Sequence, residues 1–249
     1  QDPENFRTTA CWLAVLAYSL RIYCDFSGYS DMAVGLGHLF GYKLTMNFNM
    51  PYLSVNISEF WRRWHISLSS WLRDYLFIPL GGSRGSRWQT YRNLMIVMTL
   101  GGLWHGAAWG YILWGIVHGV LLVIHRWFRE VIEGYAGWNA ILQSPAGTLV
   151  RVSLTFLTVS LCWVLFQPEW SRAWAMYQQL FTWHSGAALP LHNRSLWYTA
   201  LFVLMCHLLV TSGIWSRIYE RLPAALLGAG YAVCACLAML LAPGQGSTF

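Results

Sequence analysis

The sequence predicts an all-α, polytopic membrane protein, and three observations carry that prediction. Hydrophobic residues make up 56% of the 249 residues and charged ones only 10%, against about 25% charged in soluble domains. Mean hydropathy is +0.41. The chain holds sixteen tryptophans and thirteen tyrosines, residue types that gather at the two membrane–water interfaces. The net charge of +6 invites a nucleic-acid reading. That reading fails because the basic residues are scattered through loops between apolar runs, with no basic, aromatic-laced face. The six cysteines, Cys11, Cys24, Cys162, Cys206, Cys234 and Cys236, lie within or at the ends of apolar segments at no zinc-site spacing. They read as small, reduced, buried thiols. The chain opens at Gln1 without a methionine or signal peptide. The expectation is one membrane domain over 1–249 that belongs to a longer chain and lacks its N-terminal spans.

Taken in order, Thr8 to Cys24 is the first apolar run, and Arg21 near its end can snorkel to the headgroups. Asp25 to Asp31 is a polar knot around Gly28. Met32 to Tyr42 is apolar but too short to span. Lys43 to Pro51, with Asn47, Asn49 and Pro51, reads as loop. Irregular backbone at membrane depth needs protein or water around it, so a re-entrant segment is expected over 25–51. Ser58 to Ile78 carries Trp61, Trp64, Leu68, Trp71, Tyr75 and Ile78 on one stripe and Glu59, Arg63, Ser67, Ser70 and Asp74 on another. This predicts one amphipathic interfacial helix, capped by Ser58 and ended by Pro79. Arg84, Arg87 and Arg92 make 84–92 a cytoplasmic loop by the positive-inside rule.

Leu94 to His125 is apolar over 32 residues, long for one span and short for two, so a bend is expected near Gly101-Gly102. Arg126 to Ser144 reads as a loop or surface helix. Thr148 to Phe166, Trp197 to Trp215 and Ala224 to Ala242 are candidate spans. The loop between the first two contains Pro168, His184, Pro190 and His192.

His105 stands out among the eight histidines. It lies 11 residues after Leu94, so a helix would carry it ~16 Å inward at ~1.5 Å per residue, about half of a ~30 Å hydrocarbon core. An ionisable group at that depth is a functional-site hypothesis by default. Gly102, Gly106, Gly110, Gly115 and Gly119 form a small-residue groove beside it, suited to close approach of a neighbouring helix. The competing role is a core histidine bonded to a nearby carbonyl. Burial should keep the imidazole neutral and available as a base, able to take the proton of a hydroxyl that attacks a thioester. His65, beside Arg62 and Arg63, could orient an acceptor or stabilise the oxyanion.

Metal binding is not predicted. His105, His118 and His125 are spaced unlike an HExxH-type site, and on one helix His118 would point ~220° away from His105. Arg62, Arg63, Arg73 and the 84–92 arginines suit the phosphates of a nucleotide-like donor, or equally anionic headgroups. Asp25, Asp31, Glu59 and Asp74 read as partners for these arginines rather than as reacting acids. No G-x-S-x-G, P-loop or Rossmann fingerprint is present.

DFSGYSDMAVG (25–35), NFNMPY (47–52), EFWRRWHISLSSWLRDYLFIPLGG (59–82) and GGLWHGAAW (101–109) together resemble the membrane-bound O-acyltransferase (MBOAT) family. The branch most resembled is the bacterial alginate O-acetyltransferase type, with D-alanyl transfer to teichoic acid as a cousin. The motif core runs over 23–126. The resemblance implies a bundle of tilted and re-entrant helices around a funnel, of which this chain is the C-terminal half. It implies His105 as the catalytic histidine and His65 as the second residue tied to activity. Arg62, Arg63, Trp64, Trp104, Asn47, Asp25, Tyr29 and Arg73 fall in the motifs expected to bind substrate or donor. No bound cofactor is implied; acetyl-CoA or an acyl carrier protein would be the acyl donor. The implied setting is a bacterial inner membrane, multi-pass, with membrane lipid and extracytoplasmic polysaccharide acetyltransferase proteins as partners. D-alanyl or lipid-directed acyl transfer is the alternative within the family, and a transporter or scaffold the alternative outside it.

Overall fold

A computed structural model of the chain describes residues 3–132, 134–188 and 193–241. Among the described residues the regular structure is helical, with one isolated bridge between Phe6 and Ala187. Three helices are long and apolar enough to cross a membrane, over Trp109–Ile132, Pro145–Val164 and Arg194–Thr211. Two compact units emerge, Gln1–Val203 and Leu204–Phe249. The all-α membrane prediction holds.

Helix α1, Thr8–Leu39, is continuous over 32 residues, which corrects the expected break at Cys24 and the re-entrant segment over 25–51. The polar knot is absorbed on the helix surface. Arg21 Nε pairs with Asp25 one turn on, at 3.3 Å, and Ser27 Oγ donates to the Cys24 carbonyl at 3.4 Å. One mid-helix glycine costs about 1 kcal/mol against alanine, too little to stop a helix this long. The irregular stretch shrinks to 40–50, followed by a tight turn at Pro51–Leu53.

The predicted single helix over Ser58–Ile78 is two: α2, Ile57–Arg63, and α3, Ile66–Leu72, followed by a wider π-type turn at Arg73–Phe77. The cap is Asn56, whose Oδ1 accepts from the Glu59 N–H at 2.8 Å, and not Ser58, which lies inside the first turn. At the break, Trp64 turns extended and His65 takes a left-handed conformation at φ 45°. The hydrogen bonds that a continuous helix would make are replaced by the 47–49 segment: Asn49 N–H donates to Arg63 O at 2.9 Å and Ile66 N–H to Asn47 O at 3.0 Å. Trp64 gains an aromatic nest in exchange, packed 5.0 Å from the rings of Phe48 and Trp163 and 5.5 Å from Phe60.

Helix α4, Arg87–His105, begins seven residues before Leu94, so Arg87 and Arg92 sit on a helix and not in a loop. Ser86 and Gln89 close a reciprocal capping box at 2.8 and 3.3 Å, which fixes that start. Nor is the bend at Gly101-Gly102. The chain turns at Gly106, with φ 154°, and α5, Trp109–Ile132, runs back along α4. The predicted close helix approach is made by Gly102 of α4 against Gly115 of α5, with Gly119 of α5 against Met95, whereas Gly110 faces the Gln167 backbone. A Cβ on Gly102 would meet the Gly115 Cα at 3.1 Å and collide with the Tyr111 carbonyl, and one on Gly115 would collide with the Met98 carbonyl.

Beyond this hairpin come α6, Ala136–Gln143, and α7, Pro145–Val164. Helix α7 is capped by Ser144, whose Oγ accepts from Gly147 N–H at 3.1 Å. Helix α8, Trp170–Phe181, replaces part of the loop expected between the two spans; Pro190 and His192 lie outside the described residues. Helix α9, Asn193–Thr211, follows one predicted span. The second unit adds α10, Ile214–Arg221, and α11, Ala224–Leu241, along the last predicted span. The core of the first unit is aromatic: Phe60, Trp64, Trp114 and Trp163 are all at most 4% exposed.

Candidate active site

A cavity of about 700 Å³ opens where α1, the α2–α3 break, the α4–α5 turn and the end of α7 converge. That is the size range of small-molecule sites. Helix α1 contributes Tyr18, Arg21, Ile22, Asp25, Phe26 and Tyr29; the break contributes Trp61, Trp64 and His65. Trp104 and His105 come from the end of α4, Trp114 from α5, and Trp163 and Phe166 from the end of α7.

Both predicted histidines line this cavity, each at an interruption of a helix. His105 is the last residue of α4 and precedes Gly106. Its half-buried ring sits edge-on to Phe166 at 4.8 Å and Trp114 at 5.4 Å. His65 is held in the left-handed region, which costs a non-glycine residue roughly 1–3 kcal/mol and persists where surrounding structure over-determines it. Its ring packs edge-on to Phe26 at 4.7 Å. Trp104 contacts both imidazoles, 6.1 Å from His65 and 4.9 Å from His105.

His65 also has a polar side. Its Nδ1 lies 3.3 Å from Asn47 Oδ1, and the same oxygen accepts from Ser67 N–H at 3.2 Å and Ser67 Oγ–H at 2.7 Å. Burial, reinforced by the nearby His105, pushes the His65 pKa down to about 4. Its lone pair is therefore available at neutral pH.

Of the other predicted site residues, Trp64, Trp104, Asp25 and Tyr29 line the cavity, and Asn47 stands behind His65. Asp25 pairs with Arg21 at its exposed edge. Arg62, Arg63 and Arg73 lie outside the lining. Arg63 is bound to Glu59 at 2.6 Å and reaches the Met50 carbonyl. Arg62 donates to Ser58 Oγ, and Arg73 pairs with the neighbouring Asp74 at 2.7 Å. The predicted acid–arginine pairing thus applies to Glu59 and Asp74, while Asp25 pairs with a different arginine.

The sequence does not single out Trp61, Trp114, Phe166 or Arg21 for this wall. Nor does it foresee His118, whose helical rotation from His105 loses meaning once the chain breaks at Gly106. His118 is fully buried, accepts at Nδ1 from Trp61 Nε1–H at 3.2 Å, and packs on Trp114, which in turn packs on His105. The recurrence of glycine at 102, 106, 110, 115 and 119 was the available signal, since two facing helices would turn Trp114 and His118 towards one side.

The sequence profile of the membrane-bound O-acyltransferase family matches residues 5–141. The chain is 48% identical over 196 residues to a probable alginate O-acetylase of Pseudomonas aeruginosa, covering 78% of this chain and 35% of that protein. It is 44% identical over 158 residues to a peptidoglycan O-acetyltransferase of Helicobacter pylori, covering 64% and 29%. To a teichoic acid D-alanyltransferase of Bacillus subtilis it is 35% identical over 169 residues, covering 63% and 41%. The chain thus spans about a third of the length of the curated relatives it matches.

Proposed function

Because this chain belongs to the membrane-bound O-acyltransferase family, we propose that the full protein moves acetyl groups from a thioester donor towards hydroxyls of an exported polysaccharide. The observation that carries this reading is the pair of imidazoles, His65 and His105, on the wall of one cavity with Trp104 against both. In the proposed step His105 takes the proton of the attacking hydroxyl as its oxygen bonds to the thioester carbonyl. The tetrahedral intermediate then expels the thiolate, which takes that proton back from the imidazolium. The acyl group passes from sulfur to oxygen, and one proton passes from oxygen to sulfur.

Most of the wall is apolar and aromatic, which disfavours water beside the thioester. Acetyl-CoA is the proposed donor, with an acyl carrier protein as the other thioester that fits. Arg21 is the arginine that reaches the cavity edge, whereas Arg62, Arg63 and Arg73 can serve the donor only from outside the lining. The proposed setting is a bacterial inner membrane, where extracytoplasmic acetyltransferase proteins complete delivery to the polymer. The higher identity to the alginate and peptidoglycan enzymes than to the D-alanyltransferase favours acetyl over D-alanyl transfer.

The test is complementation with the full-length protein. A strain lacking it is supplied with wild type or His105→Ala, and membrane abundance and polymer O-acetyl content are measured. Normal abundance with lost acetylation is expected; unchanged acetylation removes His105 from the mechanism.

A further inference from the structure

We infer that Asn47 is a positioning residue that locks His65 in the Nδ1–H tautomer, so that His65 orients the acyl acceptor by accepting a hydrogen bond from a substrate hydroxyl next to the attacking one, and does not donate to the oxyanion. This rests on the acyl-transfer reading and deepens it.

The inference follows from a donor that has no alternative. The backbone N–H of Ser67 lies 3.2 Å from the Asn47 side-chain oxygen. A backbone amide nitrogen can only donate, so the Asn47 amide must present its oxygen there; the flipped amide would set N–H against N–H. That same oxygen lies 3.3 Å from His65 Nδ1, and two bare acceptors would repel. Nδ1 therefore carries the proton, and Nε2 of the neutral ring carries a lone pair. His65 lines the cavity whereas Asn47 and Ser67 do not, so the Nε2 edge is the one that faces substrate.

The backbone holds this geometry from both sides. Asn47 O accepts from Ile66 N–H at 3.0 Å and Asn49 N–H donates to Arg63 O at 2.9 Å, which clamps the 47–49 segment across the helix break. The left-handed backbone of His65 then aims its ring between Asn47 and the cavity. The other titratable and charged groups on the cavity wall are His105 of α4 and Tyr18, Arg21, Asp25 and Tyr29 of α1. Within the cluster behind the ring, Ser67 Oγ–H also donates to Asn47, at 2.7 Å.

The full-length protein in detergent is treated with diethyl pyrocarbonate across pH, and modification at His65 is followed by peptide mass spectrometry alongside kcat and KM. Asn47→Asp sets a carboxylate against Nδ1–H. The modification midpoint at His65 and the acid limb of kcat should both rise by at least about one pH unit. Asn47→Leu should lower kcat at least tenfold by misplacing the acceptor, while KM for the donor stays within about threefold.

An Asn47→Asp protein with an unmoved midpoint overturns the assignment, whatever the fate of Asn47→Leu. If the midpoint moves but His65→Ala and His105→Ala turn over normally, the placing of the acyl-transfer step at these two histidines fails instead and takes the substrate role of His65 with it.

Discussion

Trp61 and His118 show how single atoms secure the cavity wall. The Trp61 indole N–H is donated to His118 Nδ1 at 3.2 Å, and Nε2 of that ring has no hydrogen-bond partner among the described residues. Trp61→Phe keeps most of the ring packing but leaves Nδ1 unpaired as well. It should destabilise the protein by about 1–3 kcal/mol, read as a lower unfolding temperature of the detergent-solubilised full-length protein. His65 adds a limb of its own to the pH profile, because its pKa is pushed down to about 4, below the ~6.5 of free imidazole. A lowered value means that this ring stays neutral throughout pH 6–8 and is lost to protonation only below about pH 5. Titration of His65 should therefore leave kcat flat over pH 6–8, with its acid limb near pH 4; an acid limb at 6.5 would show that the ring is solvated. At this scale the sequence was informative about His105 and His65, because ionisable groups in apolar, tryptophan-rich surroundings are conspicuous. It was silent on Trp114 and Phe166, which look like any other membrane aromatic until the fold turns them inward.

At the scale of elements, glycine is read correctly where it packs and wrongly where it only dilutes a helix. Gly115 presses against the backbone of α4, so a methyl group has no space there. Gly115→Ala should cost about 1–3 kcal/mol by overpacking and lower membrane abundance. Gly28 of α1 would set its Cβ in open space. Gly28→Ala should be neutral or stabilising by up to ~1 kcal/mol, with abundance at least equal to wild type. The period-four glycines announced the α4–α5 contact because close backbone approach demands them. The break at Trp64-His65 was hidden because a two-residue interruption barely disturbs an i, i+3, i+7 stripe. It is made by a segment some 16 residues earlier, Asn47 to Asn49, which takes up the hydrogen bonds of the interrupted turn. No local pattern carries that information. The start of α4 at Arg87 was missed for a simpler reason: Ser86 and Gln89 form a capping box inside a stretch whose arginines read as loop.

For the whole molecule, composition alone was enough to predict an all-α membrane protein, and among the described residues three helices have the length and hydropathy to cross a bilayer. Orientation follows from charge. Arg84, Arg87 and Arg92 cluster at the start of α4 without an acidic residue between them, from which the positive-inside rule predicts that this end faces the cytoplasm. A single cysteine at Ser83 in a cysteine-free full-length protein should react with a membrane-impermeant maleimide in inside-out vesicles and not in intact cells; the reverse pattern would invert the topology. His105, at the far end of the 19-residue α4, then lies ~27 Å along the helix from Arg87, so cytoplasmic donor access would have to come through the cavity. The most direct measurement is a kinetic cycle on the full-length protein: acetyl transfer by His105→Ala, His65→Ala and the double variant at matched abundance. If the two rings serve one chemical step, His105→Ala loses at least about 10²-fold in kcat and the double variant is little worse than the worse single. A His105→Ala protein within about twofold of wild type, or losses that multiply in the double variant, would contradict the account.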